Sequence, residues 1–325
     1  MQKPIVSVIV LTLNSERFIR RCLESIQSQT YKNYEVIIVD AGSLDNTKKT
    51  VESYGTRFRW LELPNSDMGA ARNYGMSRST GEYICFLDSD DFYLPLMLET
   101  QIKFLIEHVN VDVVFSSAWH FRSKDPSRLG RKHISRQPAE LSDYLKGMNH
   151  NLGTMCMRRG LYEKGFIFGE GESGRYGEEW RLQLSMALQG VSMAFQPKQL
   201  MVAELRPDSH TTWSLQWKMK AMMIEQIQGV SKSLSDEQAR CFDLKNILDN
   251  LRMKLIIALI LDGQRDMALR LVVSISQFKL RNISRLVVLL SFCVPVTLLK
   301  KALSTIWLKI QDRSFEWHNR SILSE

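Results

Sequence analysis

Cysteine is scarce and scattered. The five residues Cys22, Cys85, Cys156, Cys241 and Cys293 share no C-x-x-C spacing, so neither a disulfide framework nor a structural zinc site is indicated and a reducing compartment is the simplest home. No secretory leader is expected, since Met1-Gln2-Lys3-Pro4 runs straight into a strand-like stretch, and the cytoplasm is the expected location. The apolar run Leu286 to Leu299 holds only 14 residues, two of them polar, and is interrupted by Pro295, whereas a bilayer-spanning helix needs about 20. Neither G-x-G-x-x-G nor G-x-x-x-x-G-K-[ST] follows the first strand, which removes the warrant for a dinucleotide fold or a Walker-type phosphate cradle.

What is present is a chain of 325 residues, 44% hydrophobic and 24% charged, enough to bury a full core in one large domain or one domain plus an extension. The net charge of +8 is uneven: from Leu251 onward 12 Lys or Arg face 5 Asp or Glu. A nucleic-acid binder should spread its charge over a reading face with interleaved aromatics. The first 250 residues show no such face, so no nucleic-acid partner is expected. Arg285 before the apolar run and Lys300-Lys301 after it suit an interfacial element on an anionic inner-membrane surface, or an ordinary buried helix.

Hydrophobic periodicity orders the chain. A β-rich run from Ile5 to Leu11 is followed by Phe18, Ile19, Cys22, Leu23 and Ile26 at helical spacing. Strands are predicted at Val36 to Val39, Phe58 to Leu63, Tyr83 to Leu87 and Val111 to Phe115. Between them lie helices from Asp45, which serves as a cap, to Tyr54, over Met68 to Ser77, and on a stripe of Leu94, Leu98, Ile102, Leu105 and Val109. Arg122 to Pro138 reads as a surface excursion and Gly147 to Ser173 as largely aperiodic. Glu178 to Leu188 opens a helix again, and the sequence is almost purely helical from about Lys218, with an apolar stripe of Leu244, Ile247, Leu248, Leu251, Leu255 and Leu259. The expectation is an α/β, doubly wound, mainly parallel sheet flanked by helices over residues 1–217, with a basic helical extension over 218–325.

In such sheets ligands bind beyond the carboxyl ends of the strands. Three polar clusters fall at those ends: Thr12 to Asn14, Asp40 to Ser43, and Asp88-Ser89-Asp90-Asp91. Two carboxylates alternating in a turn leave a hard cation with open positions for a diphosphate, and repulsion among clustered carboxylates is relieved by a cation or by protonation.

Five ordered blocks resemble family 2 glycosyltransferases of the GT-A type. They are Ser7-Val8-Ile9-Val10-Leu11-Thr12-Leu13-Asn14, Ser25 to Thr30, Glu35 to Asp45, Ala71-Arg72-Asn73-Tyr74-Gly75 and Gly81 to Asp91. The likeness is dense over residues 5–95, looser to about 215 and absent from the tail. It implies a GT-A-like fold, a nucleotide-sugar donor with UDP-sugars favoured, and inverting transfer to a saccharide or lipid-linked hydroxyl, as in cell-surface polysaccharide or lipid-linked oligosaccharide synthesis. By position, Leu11, Thr12, Asn14, Asp40, Ala41, Gly42 and Ser43 would surround the nucleoside, and Arg72 would face the donor. Asp88, Ser89 and Asp90 would form the DxD that meets diphosphate and Mn²⁺ or Mg²⁺, with His210 a third metal or phosphate contact. Ala41 stands where many relatives carry a second aspartate.

Gly177-Glu178-Glu179-Trp180 resembles the family's Gly-Glu-Asp-Trp motif. It places Glu179, with Glu178 beside it, where a general base removes the acceptor proton; two glutamates opening a helix also complement its dipole. Trp180 either stacks on an acceptor sugar or packs. Two other readings stay open. A sugar nucleotidyltransferase should show a glycine-rich, arginine-bearing loop, which Thr12 to Phe18 lacks, and a non-catalytic scaffold of the same fold would account for Ala41 and Glu179.

Overall fold

Strands β1 (Val6–Thr12), β2 (Tyr34–Asp40), β3 (Phe58–Glu62) and β4 (Tyr83–Asp88) alternate with helices α1 (Ile19–Gln27), α2 (Thr47–Glu52) and α3 (Met68–Arg78) in the computed structural model. It describes residues 5–122, 132–133, 140–148, 150–205, 213–264, 266–268 and 270. β5 (Phe92–Tyr93), α4 (Met97–Glu107), β6 (Val113–Arg122), β7 (Lys132–His133), α5 (Leu141–Leu145), β8 (Cys156–Arg158), α6 (Arg159–Glu163), α7 (Glu172–Arg175), α8 (Glu178–Leu188) and β9 (Met193–Leu205) follow. Among the described residues the strands form one sheet in the order β3-β2-β1-β4-β8-β6-β9-β5, with β7 paired to β6. β2 and β4 flank β1 in parallel, so the chain reverses its direction of travel across the sheet beside β1, where an open α/β sheet leaves a crevice.

The central strands are buried on both faces, which is why they read as continuous apolar runs rather than alternating ones. Period-two geometry sends Val6, Val8 and Val10 of β1, Val36 and Ile38 of β2, and Cys85 and Leu87 of β4 to one face, where they meet Ile19, Leu23 and Ile26 of α1 and Leu98 and Ile102 of α4. Ile9, Ile37, Val39, Ile84 and Phe86 point the other way, into a second core with Ala71 and Met76 of α3 and Leu182 and Met186 of α8.

Helix α3 lies close to the sheet because it presents small residues. A Cβ added at Gly75 would stand 2.5 Å from Ile9 Cγ2 and 3.3 Å from Val39 Cγ2. Gly75→Ala is therefore expected to cost about 1–3 kcal/mol through overpacking. A urea midpoint unchanged from wild type would show that the helix moves aside freely.

Several expectations are corrected. Val109 does not continue the buried stripe of α4; it lies past the helix end and is 75% exposed. The aperiodic stretch 147–173 contains β8, antiparallel to both β4 and β6. Its three residues are too few to show a period. The strand predicted at Val111 to Phe115 runs instead to Arg122, because β9, which no periodicity announced, pairs with it in parallel along its whole length. The Arg122 to Pro138 excursion falls mostly outside the described residues; Lys132 and His133 pair with Trp119 and Ala118.

Beyond β9 lie α9 (Trp213–Ser233), α10 (Asp236–Cys241) and α11 (Leu244–Leu261). Position 217/218 falls inside α9, and the chain divides into Met1–Ser209 with Gly229–Leu244 and His210–Gln228 with Lys245–Glu325. Within the second unit Trp217 Nε1 donates to Asp262 Oδ2 at 2.8 Å. Leu251, Leu255 and Leu259 of the apolar stripe are buried. No helix among the described residues is long and apolar enough to cross a membrane, and Leu286 to Leu299 lies outside them.

Candidate active site

Register brings the three polar clusters together: Thr12 is opposite Asp40, and Leu11 is opposite Asp88. Thr12 Oγ1 is buried with no hydrogen-bond partner among the described residues, which marks it for something the protein itself does not supply. Asp40 is committed to its own turn. Its carboxylate accepts from the amides of Gly42 (3.1 Å) and Ser43 (2.8 Å) and from the Ser43 hydroxyl. Asn14, at φ +48°, accepts from Leu44 N at 2.8 Å while its own amide donates to Ser43 Oγ at 2.8 Å, so the first two loops are tied to each other. Ala41 N donates to Thr12 O, and Ala41 O accepts from Asn65 N. The backbone of Ala41 thus extends the ladder past the ends of β1 and β2.

The acidic turn is held from beneath. Ser89 and Ser15 share a hydroxyl hydrogen bond of 2.7 Å. Arg21 Nη2 reaches both the Asp90 carbonyl and Glu204 Oε2 at 2.6 Å, and Arg21 lies over the Phe92 ring. Asp91 is 8% exposed and accepts from Glu204 N at 3.0 Å. Burial pushes its carboxyl well up, Asp90 and Asp88 adding to the rise. The three aspartates therefore separate into different roles: Asp88 and Asp90 remain partly exposed and Asp91 faces inward.

Opposite this turn lies Arg72, 1% exposed. Nη1 donates to Glu178 Oε1 at 2.5 Å, and Nη2 sits 3.0 Å from Asp88 Oδ1 and 3.5 Å from Glu179 Oε1. The guanidinium carbon stands 5.4 Å from the centre of the Phe168 ring, a contact that favours the cation. One buried cation thus serves three carboxylates from two elements. Helix α8 delivers two of them because its start is fixed: Trp180 Nε1 donates to Tyr144 O at 2.7 Å, and Gln183 pairs reciprocally with the backbone of His150. Glu178 is enclosed, whereas Glu179 keeps 24% of its side-chain surface. Burial pushes the Glu179 carboxyl up to about 8; Arg72 opposes the shift, while Glu178 and Asp88 reinforce it. A carboxyl that titrates near neutrality suits proton transfer.

The structure brings Thr12, Asn14, Asp40, Asp88, Ser89 and Asp90 to the adjacent carboxyl ends of β1, β2 and β4, and Arg72 links Asp88 to Glu178 and Glu179. Trp180 is different: it is 3% exposed with its indole N–H satisfied by Tyr144, so it packs and anchors α8 and offers no face to a sugar. His210 lies outside the described residues. Sequence reasoning missed Ser15, Arg21, Phe168 and Glu204. Arg21 and Glu204 are 183 positions apart, and no local pattern joins them.

A dication fits these residues in one mode. No cluster of three His, Cys, Asp or Glu ligands occurs among the described residues, so an all-protein cage is not offered. Mg²⁺ and similar ions in nucleotide sites are held by one or two carboxylates together with substrate phosphates. Asp88, half its side chain exposed at a strand end, and Asp90 match that donor set.

Residues 7–166 match the model for Glycosyl transferase family 2. An uncharacterized glycosyltransferase of Rickettsia felis is 30% identical over 175 residues, covering 51% of this chain and 29% of that protein. The putative glycosyltransferase EpsH of Bacillus subtilis is 41% identical over 106 residues, 32% of this chain and 31% of EpsH. The matches thus span about a third of these relatives' lengths. S. aureus TarS 1-349 in complex with UDP-GlcNAc is 21% identical with a TM-score of 0.59, covering 78% of this chain and 79% of that one. The mannosyltransferase PcManGT from Pyrobaculum calidifontis, in complex with GDP-Man and Mn²⁺, is 18% identical with a TM-score of 0.56, covering 95% and 88%. These structures share the GT-A-type α/β fold with this chain. With the sheet order, the strand-end clusters and the family match all pointing one way, residues 7–166 of this chain are similar to glycosyl transferase family 2.

Proposed function

We propose that the chain transfers a sugar from a nucleotide-sugar donor to an acceptor hydroxyl with inversion, UDP-sugars being the favoured donors. The observation that carries this is the buried Arg72, which joins Asp88 at the end of β4 to Glu178 and Glu179 at the start of α8. It sets a carboxylate suited to meet a diphosphate beside a carboxyl suited to take a proton. The donor preference is supported by TarS, solved with UDP-GlcNAc; PcManGT, solved with GDP-Man, makes GDP-sugars the other arm of a test.

In this reading Glu179 accepts the proton of the acceptor hydroxyl as that oxygen bonds to the anomeric carbon. The bond from that carbon to the diphosphate breaks on the opposite face and the nucleoside diphosphate leaves. Glu178 holds Arg72, and Arg72 holds Glu179 in place. Thr12 and the loop at Asp40 to Ser43 border the nucleoside. Asp88 and Asp90 would hold Mn²⁺ or Mg²⁺, which when bound neutralises charge on the leaving diphosphate. A saccharide or lipid-linked acceptor, and work at the cytoplasmic face of the inner membrane, are supported only by the basic, partly apolar sequence after Leu251.

The test is a thermal-shift titration with UDP and GDP, each with and without Mn²⁺. Wild type is expected to be stabilised by one nucleotide with Mn²⁺, by about 2.7 kcal/mol at a hundredfold excess over Kd. Asp90→Asn is expected to lose the part of this effect that depends on Mn²⁺. Stabilisation by neither nucleotide, or an unchanged metal response in Asp90→Asn, overturns the assignment.

A further inference from the structure

Helix α3 carries a second polar grip one residue after Arg72, and the donor chemistry does not use it. Asn73, 9% exposed, binds the chain that leads into α8 at three points. Nδ2 donates to Phe168 O at 3.0 Å and to Glu170 Oε1 at 2.8 Å, while Oδ1 accepts from Phe168 N at 2.9 Å. The reciprocal pair with Phe168 imitates a rung of sheet, so it fixes the position and direction of that backbone together. Asp67 adds a further tie at the start of the helix: Oδ1 accepts from Ala70 N at 2.9 Å as the cap of α3, and Oδ2 accepts from Gly171 N at 2.8 Å.

The same segment approaches α3 so closely that only glycine fits on either side. A Cβ on Gly69 would fall 1.8 Å from Gly169 O, and one on Gly174 would fall 1.9 Å from Asp67 Oδ1. Three residues past Gly174 the chain turns through Gly177, at φ +74°, and Glu178 and Glu179 begin α8. The Phe168 backbone that Asn73 holds also carries the ring that lies against the Arg72 guanidinium.

We infer that Asn73 is a positioning residue: by clamping Phe168 to Glu170 against α3 it sets where Glu178 and Glu179 stand relative to Arg72, and hence where the acceptor proton is taken. This rests on the glycosyltransferase reading, but the clamp itself is tested independently of activity. One helix thereby fixes both sides of the reaction, the diphosphate side through Arg72 and the acceptor side through Asn73.

Asn73→Asp removes both N–H donors and sets a carboxylate against Glu170. Glu170→Gln is a milder break, and the double variant Asn73→Asp/Glu170→Gln restores that one hydrogen bond with donor and acceptor exchanged. Hydrogen exchange on the full-length protein is expected to quicken at least tenfold for amides 168–180 in Asn73→Asp, with the β1 and β2 amides unchanged, and to recover in part in the double variant. Binding of UDP with Mn²⁺ should stay within about threefold of wild type. Hydrolysis of the UDP-sugar that wild type accepts should fall about ten- to a hundredfold in kcat with little change in donor KM.

Unchanged exchange at 168–180, or a rise spread evenly over the sheet, overturns the clamp. Loss of UDP binding in proportion to kcat makes Asn73 a general structural residue and overturns the positioning role. Wild-type protein that hydrolyses no UDP- or GDP-sugar overturns the functional reading, and the exchange experiment still decides the clamp.

Discussion

Glu179→Gln lowers sugar transfer by about 10²–10⁴-fold while leaving UDP and Mn²⁺ binding intact, if Glu179 takes the acceptor proton. The substitution keeps the size of the side chain and removes its ability to take up a proton, together with the carboxylate charge that faces Arg72. Its pH signature is sharper than the rate loss. Because burial, with Glu178 and Asp88, holds the carboxyl near 8 against the pull of Arg72, the reactive carboxylate forms only as pH climbs toward that value. Wild-type kcat/KM should therefore fall tenfold per unit as pH drops below about 8, and the limb should vanish in the glutamine variant.

Stability carries the opposite sign. The folded chain retains a proton on Glu179 that the unfolded chain releases near the ordinary 4.5, so this group's contribution is full below that pH and is lost as pH rises to about 8. Urea midpoints followed over that window should decline less in Glu179→Gln than in wild type. A glutamine variant within tenfold of wild-type rate, or one that keeps the acid limb, removes Glu179 from the chemistry.

Arg72→Met should be the most destabilising single change in the site. Arg72 is 1% exposed and Glu178 keeps only 4% of its side-chain surface, so losing the cation leaves an enclosed carboxylate without compensation, at a cost of about 3–5 kcal/mol. The carboxyls would respond by binding protons, which makes the penalty grow with pH. Adding Glu178→Gln to Arg72→Met should recover part of the loss, since a neutral amide tolerates that enclosure better, and the double-mutant cycle should show coupling above about 0.5 kcal/mol. A penalty under about 1 kcal/mol at pH 8, or strict additivity with Glu178→Gln, would mean that the cluster is not held by its charge.

The first half of the fold was readable because its information is local. The runs at Ile5 to Leu11, Val36 to Val39 and Tyr83 to Leu87 became β1, β2 and β4, whereas the cap expected at Asp45 falls one residue later: Asn46 is the N-cap of α2, and Asp45 accepts from Thr47 N just ahead of the helix. Strand-end logic alone grouped Thr12, Asp40 and Asp88, and their registers agree. The second half was not readable, because its order is set across distance. β8 has three residues and finds its place between β4 and β6, while β9 is defined by a partner some 80 residues earlier. Trp180 was left open between stacking and packing for a related reason: a motif gives a side chain's neighbourhood but not its direction, and here the indole turns to Tyr144. Helix α3 shows no apolar stripe because Gly69, Ala71, Arg72, Asn73, Gly75 and Met76 are all buried, so its importance lies in smallness and polarity, which periodicity does not record.

The side-by-side ends of β2, β1 and β4 act as a ruler. Adjacent strands lie about 4.8 Å apart, so Asp40 and Asp88, on either side of β1, are separated by two steps, about 10 Å in all. An occupant that reaches from one margin to the other must be elongated; in the proposed reading a nucleoside diphosphate would lie with its base toward Asp40 and its phosphates toward Asp88. Bare pyrophosphate covers a single step, so it should compete weakly with a whole nucleotide for this crevice.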